Sequence, residues 1–545
     1  MTSRMRSFIL VIVGLTLSHA ATAGLLAAAH AAPQEQLREW VERVEETHNA
    51  WASATPVAAA QILAKLYRRR EFELLWQNPT ARAQLLATIV QTRDDGLDPH
   101  DYHLNTVARS LGDLSQSPDV QADIVLSDAL LRLLYHYKFG KVDAANRDAA
   151  WTFNGEANNL DLVMMAERAA MDGTIPQLLA AFTPQHRLYQ NLRRVLAAYR
   201  RLQKRGEWPT IPDGPRLAMG SRDIRITALR ERLRFTGELG DQRSGDETFF
   251  DGETDSAVKR FQRRHGLWTD GVVGPQTLQE LNVPLRERVD TLRVNLERGR
   301  WVLREVPADF LLVDIAAFQA ELLHDEEVVW RSRIVVGQPY RSTPVFRSAI
   351  AYLVFNPSWT IPPTILREDI LPAVKADPSY LSKQHIGVFD DAGRAIDPQS
   401  IPWNRFSGPD VPFQLRQDAS PDNPLGRVKF MLPNPYMVYL HDTPARSLFE
   451  RPVRTFSSGC IRVEKSAELA RMLLDDPRAW SAERIAATIA SGETRTVPLP
   501  RPQPILLVYW TAVAGAGDEV SFRRDIYHRD EAVMSALEQP FLPEP

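Results

Sequence analysis

Cysteine is almost missing from this 545-residue chain, which has one, at position 460. A lone thiol excludes an intrachain disulfide framework and any structural zinc site built from several thiolates. An excess of one charge sign is missing too. Lys+Arg total 65 against 68 Asp+Glu, a formal net charge of -3, so no chain-wide basic field recruits nucleic acid. Past the N-terminus no apolar run approaches a membrane span, and there is no long internal repeat and no low-complexity tract of any size. What remains is ordinary globular composition, 44% hydrophobic and 24% charged, which argues against a largely disordered chain. The length implies about three or four domains.

The first residues form a targeting segment. Arg4 and Arg6 are a short basic region, Phe8 to Leu17 an apolar stretch, and Ala29-His30-Ala31 a small-residue cleavage site before Ala32. Residues 1–31 read as a signal peptide, because Ser18, His19 and Thr22 interrupt the run. The alternative is an uncleaved anchor, since Phe8 to Ala29 just reaches the length of a span. Either way the chain is expected to work outside the cytoplasm, and to meet a membrane only through this segment.

Residues 34–207 read as a helical domain, with Trp40, Val41 and Val44, then Ile62, Leu63 and Leu66, recurring at helical spacing. His100 and His103 with Asp98 and Asp101 have the look of metal ligands. Without a rigid helix or a third strong ligand they read as a polar turn, and no metal is assigned. Trp208 to Pro215 reads as a stiff proline linker. A second proline-rich segment, Val497 to Pro504, is expected to separate a helix from an apolar run, Ile505 to Val513. We place a small module at 216–284, a mostly-β domain at 300–496, and an extension at 497–545 that completes the β domain or the helical one. The expected class is multidomain α+β.

The module reads as three helices: Ile224 to Phe235, a second with Thr254 as its N-cap, and a third opened by Gly274-Pro275 and closed near Asn282. The run Asp255 to Leu267, with Asp270 to Leu278 after it, resembles the peptidoglycan-binding module of the three-helix type. The helical fold follows from the pattern, and the partner only from the resemblance. The cations at 259–264 either meet stem-peptide carboxylates or form a solvated helix face.

The thiol stands in Ser457-Ser458-Gly459-Cys460-Ile461-Arg462. Residue type alone favours a small buried hydrophobe, but the setting reverses that. Glycine beside the thiol lets backbone approach a substrate carbonyl and leaves adjacent amides free to point at one spot. Arg462 favours thiolate and can hold a carboxylate. A nucleophilic cysteine also needs a base. His441 closes the run Tyr436-Met437-Val438-Tyr439-Leu440-His441, which reads as a strand ending at the imidazole.

His441, fifteen intervening residues, then Ser457-Ser458-Gly459-Cys460-Ile461-Arg462 resembles the active-site motif of the YkuD-type L,D-transpeptidases, in their long multidomain form. The resemblance extends to Thr343-Pro344-Val345-Phe346, Asn356 to Pro363, and Asp525-Ile526-Tyr527. The commoner motif has histidine before the glycine and asparagine two places after the cysteine; here Ser458 and Arg462 stand there, so no role of those two residues carries over. The resemblance implies a helical scaffold, a peptidoglycan-binding module and a mostly-β catalytic domain whose insertion, about 357–430, caps the site.

The resemblance also implies the reaction. Cys460 attacks the bond between meso-diaminopimelate, at its L centre, and the terminal D-alanine of a stem tetrapeptide, releasing D-alanine and leaving a thioester. An amine of a neighbouring stem then resolves it into a cross-link. His441 moves the protons and the Gly459 and Cys460 amides form the oxyanion hole. Tyr439 either assists or packs, Ser458 is a further candidate, and Arg462 supports the turn or binds a stem carboxylate. Asp442 points to the opposite strand face and is not a third triad member; a backbone carbonyl is the expected orienter of the ring. No cofactor or metal is needed. Peptidoglycan is the partner, carbapenem-type β-lactams are covalent inhibitors, and the compartment is the periplasm. Water or a protein lysine as acceptor, or a non-catalytic wall-binding scaffold, remain the alternatives.

Overall fold

The structure, a computed structural model, describes residues 32–47, 51–52, 55–111, 118–142, 159–242, 245–407, 411–515, 517 and 519–540. The segment expected to be a signal peptide, 1–31, lies outside the described residues. No helix among them is long and apolar enough to cross a membrane.

The N-terminal domain is helical around α1 (Val120–Phe139), buried along nearly its whole length. An apolar core containing Trp40, Tyr67, Trp76 and Leu130 surrounds it. The polar turn is consumed by structure: His103 pairs with buried Asp128 at 2.7 Å and His100 with Asp98 at 2.8 Å. Helix α2 (Arg187–Gln203) leaves this domain and packs against the core of the C-terminal β domain.

The proline segment after it is packed rather than free. The Trp208 indole donates to the Val283 carbonyl at 3.0 Å, and Asn282 bonds both backbone groups of buried Ile211. The module follows as α3 (Arg225–Phe235), α4 (Gly252–Arg264) and α5 (Pro275–Leu281) around its own core. Its second helix begins earlier than expected. Asp251 is the N-cap, accepting from the Thr254 amide at 2.8 Å, so Thr254 lies inside the first turn. The 259–264 cations are largely engaged: Lys259 with Asp255, Arg260 on the Glu238 carbonyl, and Arg264 with the Glu238 carboxylate.

Helix α6 (Leu285–Val302) is the spine of the molecule. Leu292 and Leu296 face the catalytic core, while Val294 belongs to the scaffold core. The catalytic domain then adds β1 (Phe310–Asp314), β2 (Gln319–His324), β3 (Glu327–Gly337), β4 (Phe346–Phe355), β5 (Val428–Met431), β6 (Leu440–His441), β7 (Thr455–Ser457), β8 (Ile461–Val463) and β9 (Arg495–Val508). Helix α7 (Ser466–Leu474) follows β8. The sheet order is β7-β3-β8-β6-β5-β4-β9-β1-β2, and a further β2–β3 pairing closes it on itself.

Three local expectations change. The strand expected at 436–441 is only Leu440–His441, because Asn434 organises a turn: its side chain bonds Leu432, Tyr436 and Val438 backbone, and Met437 takes a left-handed φ of 55°. The proline segment 497–504 is not a spacer but part of β9, tolerated because its ladder to β4 is irregular between Pro498 and Gln503. The insertion has its own four-stranded sheet and a core from Ile361 to Leu415, but the expected end near 430 overruns it, since β5 pairs with β4 in the main sheet.

The tail joins all three units. The hairpin β10 (Ala512–Ala514) and β11 (Val520–Phe522) lies against the module, with Phe522 next to His265 and the Arg264 guanidinium on the Val520 carbonyl at 2.8 Å. Helix α8 (Asp530–Glu538) places Val533 and Leu537 in the scaffold core.

Candidate active site

The cysteine turn is held by backbone geometry and a chain of hydroxyls. Gly459 has φ +111°, a conformation side chains rarely adopt, and a Cβ there would face the Arg341 and Ser342 carbonyls at 3.8 Å. The Thr343 hydroxyl donates to the Gly459 carbonyl at 2.9 Å and accepts from the Gly337 amide at 2.9 Å. Tyr527, far along the tail, donates to the Gly337 carbonyl at 2.7 Å and accepts from the Thr343 amide at 3.3 Å. Beneath the thiol, the Ser457 hydroxyl donates to the Cys460 carbonyl at 2.5 Å and accepts from the Gly459 amide at 3.2 Å. The Gly459 amide, expected to serve an oxyanion, is therefore already engaged; among the described residues the Cys460 amide makes no such bond.

Strand register brings the remaining groups together. β6 pairs in parallel with β8, His441 opposite Arg462, and antiparallel with β5, His441 opposite Lys429. Opposed residues share a sheet face, and residues two apart do as well. Cys460, Arg462, Tyr439, His441 and Lys429 thus stand on one face. The Lys429 ammonium lies 3.9 Å from the Tyr439 ring centre, and the Tyr439 and His441 rings meet edge-on at 5.7 Å.

His441 is 4% exposed, and its Nδ1 lies 2.6 Å from the Asp442 carbonyl. A carbonyl only accepts, so Nδ1 carries the proton and the lone pair of the neutral ring is on Nε2. Burial, then the Arg462 charge, push its pKa down to about 3; Lys429 adds to this, against the Asp442 and Leu425 carbonyls. The Asp442 carboxylate faces elsewhere, accepting from the Arg427 amide at 2.9 Å and Arg446 at 3.1 Å.

Burial likewise raises the Cys460 thiol pKa, opposed by the Tyr439 backbone amide, Lys429, the Tyr439 hydroxyl and Arg462. Both groups rest neutral, a thiol and an imidazole on one sheet face. No hydrogen bond joins them among the described residues; Sγ lies 4.0 Å from the Met437 carbonyl.

Neither cation has a carboxylate partner among the described residues. Arg462 is half-buried, its Nε without any hydrogen bond, and burial lowers the pKa of both its guanidinium and the Lys429 ammonium, against the attraction of Cys460. Ser458 is exposed and accepts from Arg341 at 3.0 Å. The same arginine pairs with Glu368 at 2.7 Å and Asp369 at 2.6 Å, so it ties the insertion to the cysteine turn. Trp359, in the insertion's first strand, faces the Tyr439 hydroxyl and opposes the burial-driven rise of its pKa.

Sequence pattern gave Lys429, Arg341, Trp359 and Thr343 no role. A lysine alternating with apolar residues in Val428-Lys429-Phe430 was the one visible signal for the first. Trp359 and Thr343 stood inside segments that carry the family resemblance, and Arg341 carried no mark at all.

With a thiol on a glycine turn and a carbonyl-held histidine on the adjoining strand of a closed mixed sheet, residues 308–493 match the family described as "L,D-transpeptidase catalytic domain". Residues 61–196 match the family described as "Scaffold domain", and 223–281 the one described as "Putative peptidoglycan binding domain". Among curated proteins, the chain is similar to one of Haemophilus influenzae named "Putative L,D-transpeptidase", 38% identical over 245 residues, 44% of this chain and 48% of that protein. The chain thus spans about half the length of the curated relative it matches. The chain is also similar to solved L,D-transpeptidase structures from Xylanimonas cellulosilytica (15% identity, 55% of this chain and 99% of that one, TM-score 0.18) and Stackebrandtia nassauensis (12%, 55% and 96%, TM-score 0.22).

Proposed function

We propose that the chain is an L,D-transpeptidase that cross-links peptidoglycan in the periplasm, exported by its N-terminal segment. The observation that carries this reading is one sheet face: a half-buried thiol on a glycine turn, a neutral imidazole held by a carbonyl, and two cations with no carboxylate partner among the described residues.

Because thiol and ring both rest neutral, attack and proton transfer belong to the same step. As Sγ bonds to the diaminopimelate carbonyl, His441 takes its proton; the tetrahedral oxyanion meets the Cys460 amide, with Lys429 and Arg462 supplying positive charge nearby. His441 returns the proton to the leaving D-alanine nitrogen. The thioester conserves the bond energy until a neighbouring stem's amine attacks; the imidazole takes that amine's proton and passes it to the Cys460 sulfur as the C–S bond breaks. The absence of a resting Sγ–imidazole bond fits a pair that tightens when substrate is bound. The insertion, tied down through Arg341–Ser458 and Trp359–Tyr439, shields the thioester from water and favours transfer over hydrolysis. The same thiol is the group a carbapenem would acylate.

Purified protein is incubated with tetrapeptide muropeptides and the products weighed. Dimers with released D-alanine support the proposal. Tripeptide alone marks an L,D-carboxypeptidase, and a product joined to a protein lysine marks an attachment enzyme. Cys460→Ala is expected to abolish all three; an unchanged effect on wall composition by that variant would leave only a binding scaffold.

A further inference from the structure

A second recess lies apart from the cysteine face, where the module meets the catalytic domain. It encloses about 490 Å³ between module residues 265–269 and catalytic segments 316–318, 449–454 and 523–526. Its character is unlike the chain as a whole. Arg333, Arg451, Arg454, Arg523 and Arg524 line it, against one carboxylate, Glu450, which Arg333 already holds at 2.8 Å.

Two of these arginines build the walls. Arg454 donates to the Ile334 and Phe318 carbonyls, each at 3.1 Å, and to the Arg451 carbonyl at 2.7 Å, while Arg523 bridges to the Arg264 carbonyl of the module at 2.9 Å. Arg451 and Arg524 are different. Among the described residues neither guanidinium has an ion pair or hydrogen bond. Beside them Trp268 is 57% exposed, a large flat apolar surface left in water.

We infer that this cleft binds a glycan strand of peptidoglycan bearing uncross-linked stem peptides, at a site separate from the stem that reacts with Cys460. The inference rests on the proposed substrate. A pyranose ring has an apolar face suited to an indole, and stem carboxylates suit free guanidinium groups, which bind them in a bidentate manner. The cleft floor at Arg454 is six residues before Cys460, at most about 20 Å along extended backbone. A tetrapeptide rooted in the cleft spans up to about 14 Å of that. A strand held in the cleft can thus present a neighbouring stem, rooted further along it toward the turn, to the sulfur.

The test uses the full chain and two probes: soluble glycan strands carrying tetrapeptide stems, and the same strands stripped of peptide. Arg451→Glu combined with Arg524→Glu should weaken binding of the stem-bearing strands by about tenfold, the size of one charge-assisted contact, and leave stripped strands little affected. Trp268→Ala should weaken both. Turnover of a single disaccharide-tetrapeptide should be unchanged in all variants, which also shows them folded. Strand binding equal to the parent's in both variants overturns the cleft, as does a parent that turns over the single unit without binding strands. A parent that binds strands, with the loss seen in the variants, yet turns over no tetrapeptide supports the cleft while the catalytic reading fails.

Discussion

Arg300 is buried in this molecule and Arg462 half-buried, and their surroundings differ completely. Arg300, on the spine helix, is paired with Glu297, donates to the Asp95 carbonyl at 2.8 Å and to the Tyr189 hydroxyl at 3.0 Å, and shares a network in which Tyr137 and Tyr189 both reach the Asp95 carboxylate. Arg462 faces a thiol and an imidazole, with no carboxylate partner among the described residues. Burying charge is costly unless it is paired. Where the scaffold meets the catalytic domain that cost is offset by neighbours of opposite sign. On the face that carries Cys460 it is left standing, as the proposed site for developing or incoming negative charge requires.

The largest effect should come from breaking the paired set. Arg300→Met leaves Glu297 buried and uncompensated, and is expected to cost about 3–5 kcal/mol of stability, read as a lower denaturation midpoint. The alkylation rate of Cys460 in the molecules that stay folded should not change. A variant as stable as the parent would mean that pairing is not what secures the spine.

The unpaired set should respond the other way. Lys429→Met and Arg462→Met each remove a charge that opposes the burial-driven rise of the Cys460 pKa, so the thiol pKa should climb further. Alkylation followed against pH should then show its rising limb displaced to higher pH. Measured at one pH below that limb, the rate should fall about tenfold for each pH unit the limb moves. Stability should fall little or rise, because a half-buried cation without a carboxylate partner has gone. In the parent the alkylation profile is expected to rise only on the alkaline side. The acid limb of turnover should not sit at the ordinary imidazole value, since the His441 pKa is held down near 3 and the ring stays neutral above that. An acid limb near pH 6.5 would show that the ring is more solvated than its packing indicates.

Much of this was legible from residues. Helix periodicity marked the helical regions, and the glycine turn and a histidine closing an apolar run singled out Cys460 and His441 as candidates, which strand register puts on one face. The contrast between paired and unpaired cations was not legible, because it is a property of register. Lys429 and Arg462 reach one face only through strand pairings that skip across the sequence. The hydroxyl chain from Tyr527 through Thr343 to Gly459 joins segments more than a hundred residues apart for the same reason. Proline misled at 497–504, since a strand tolerates it where the ladder is already interrupted.

The smallest effect sharpens the comparison at its boundary. Arg341 is a paired cation, but its partners Glu368 and Asp369 are on the insertion, and it also reaches Ser458 beside the nucleophile. It belongs to the structural set by its bonds and to the catalytic set by its place. These are largely surface carboxylates, so each pair contributes roughly 0–1 kcal/mol and Arg341→Ala should barely move the denaturation midpoint. If the ties hold the insertion over the thioester, the same variant should change the fate of the acyl-enzyme instead, raising the share of hydrolysed tripeptide relative to dimer severalfold without slowing D-alanine release. An unchanged product ratio would assign those ion pairs to the surface and leave water exclusion to the Trp359–Tyr439 contact.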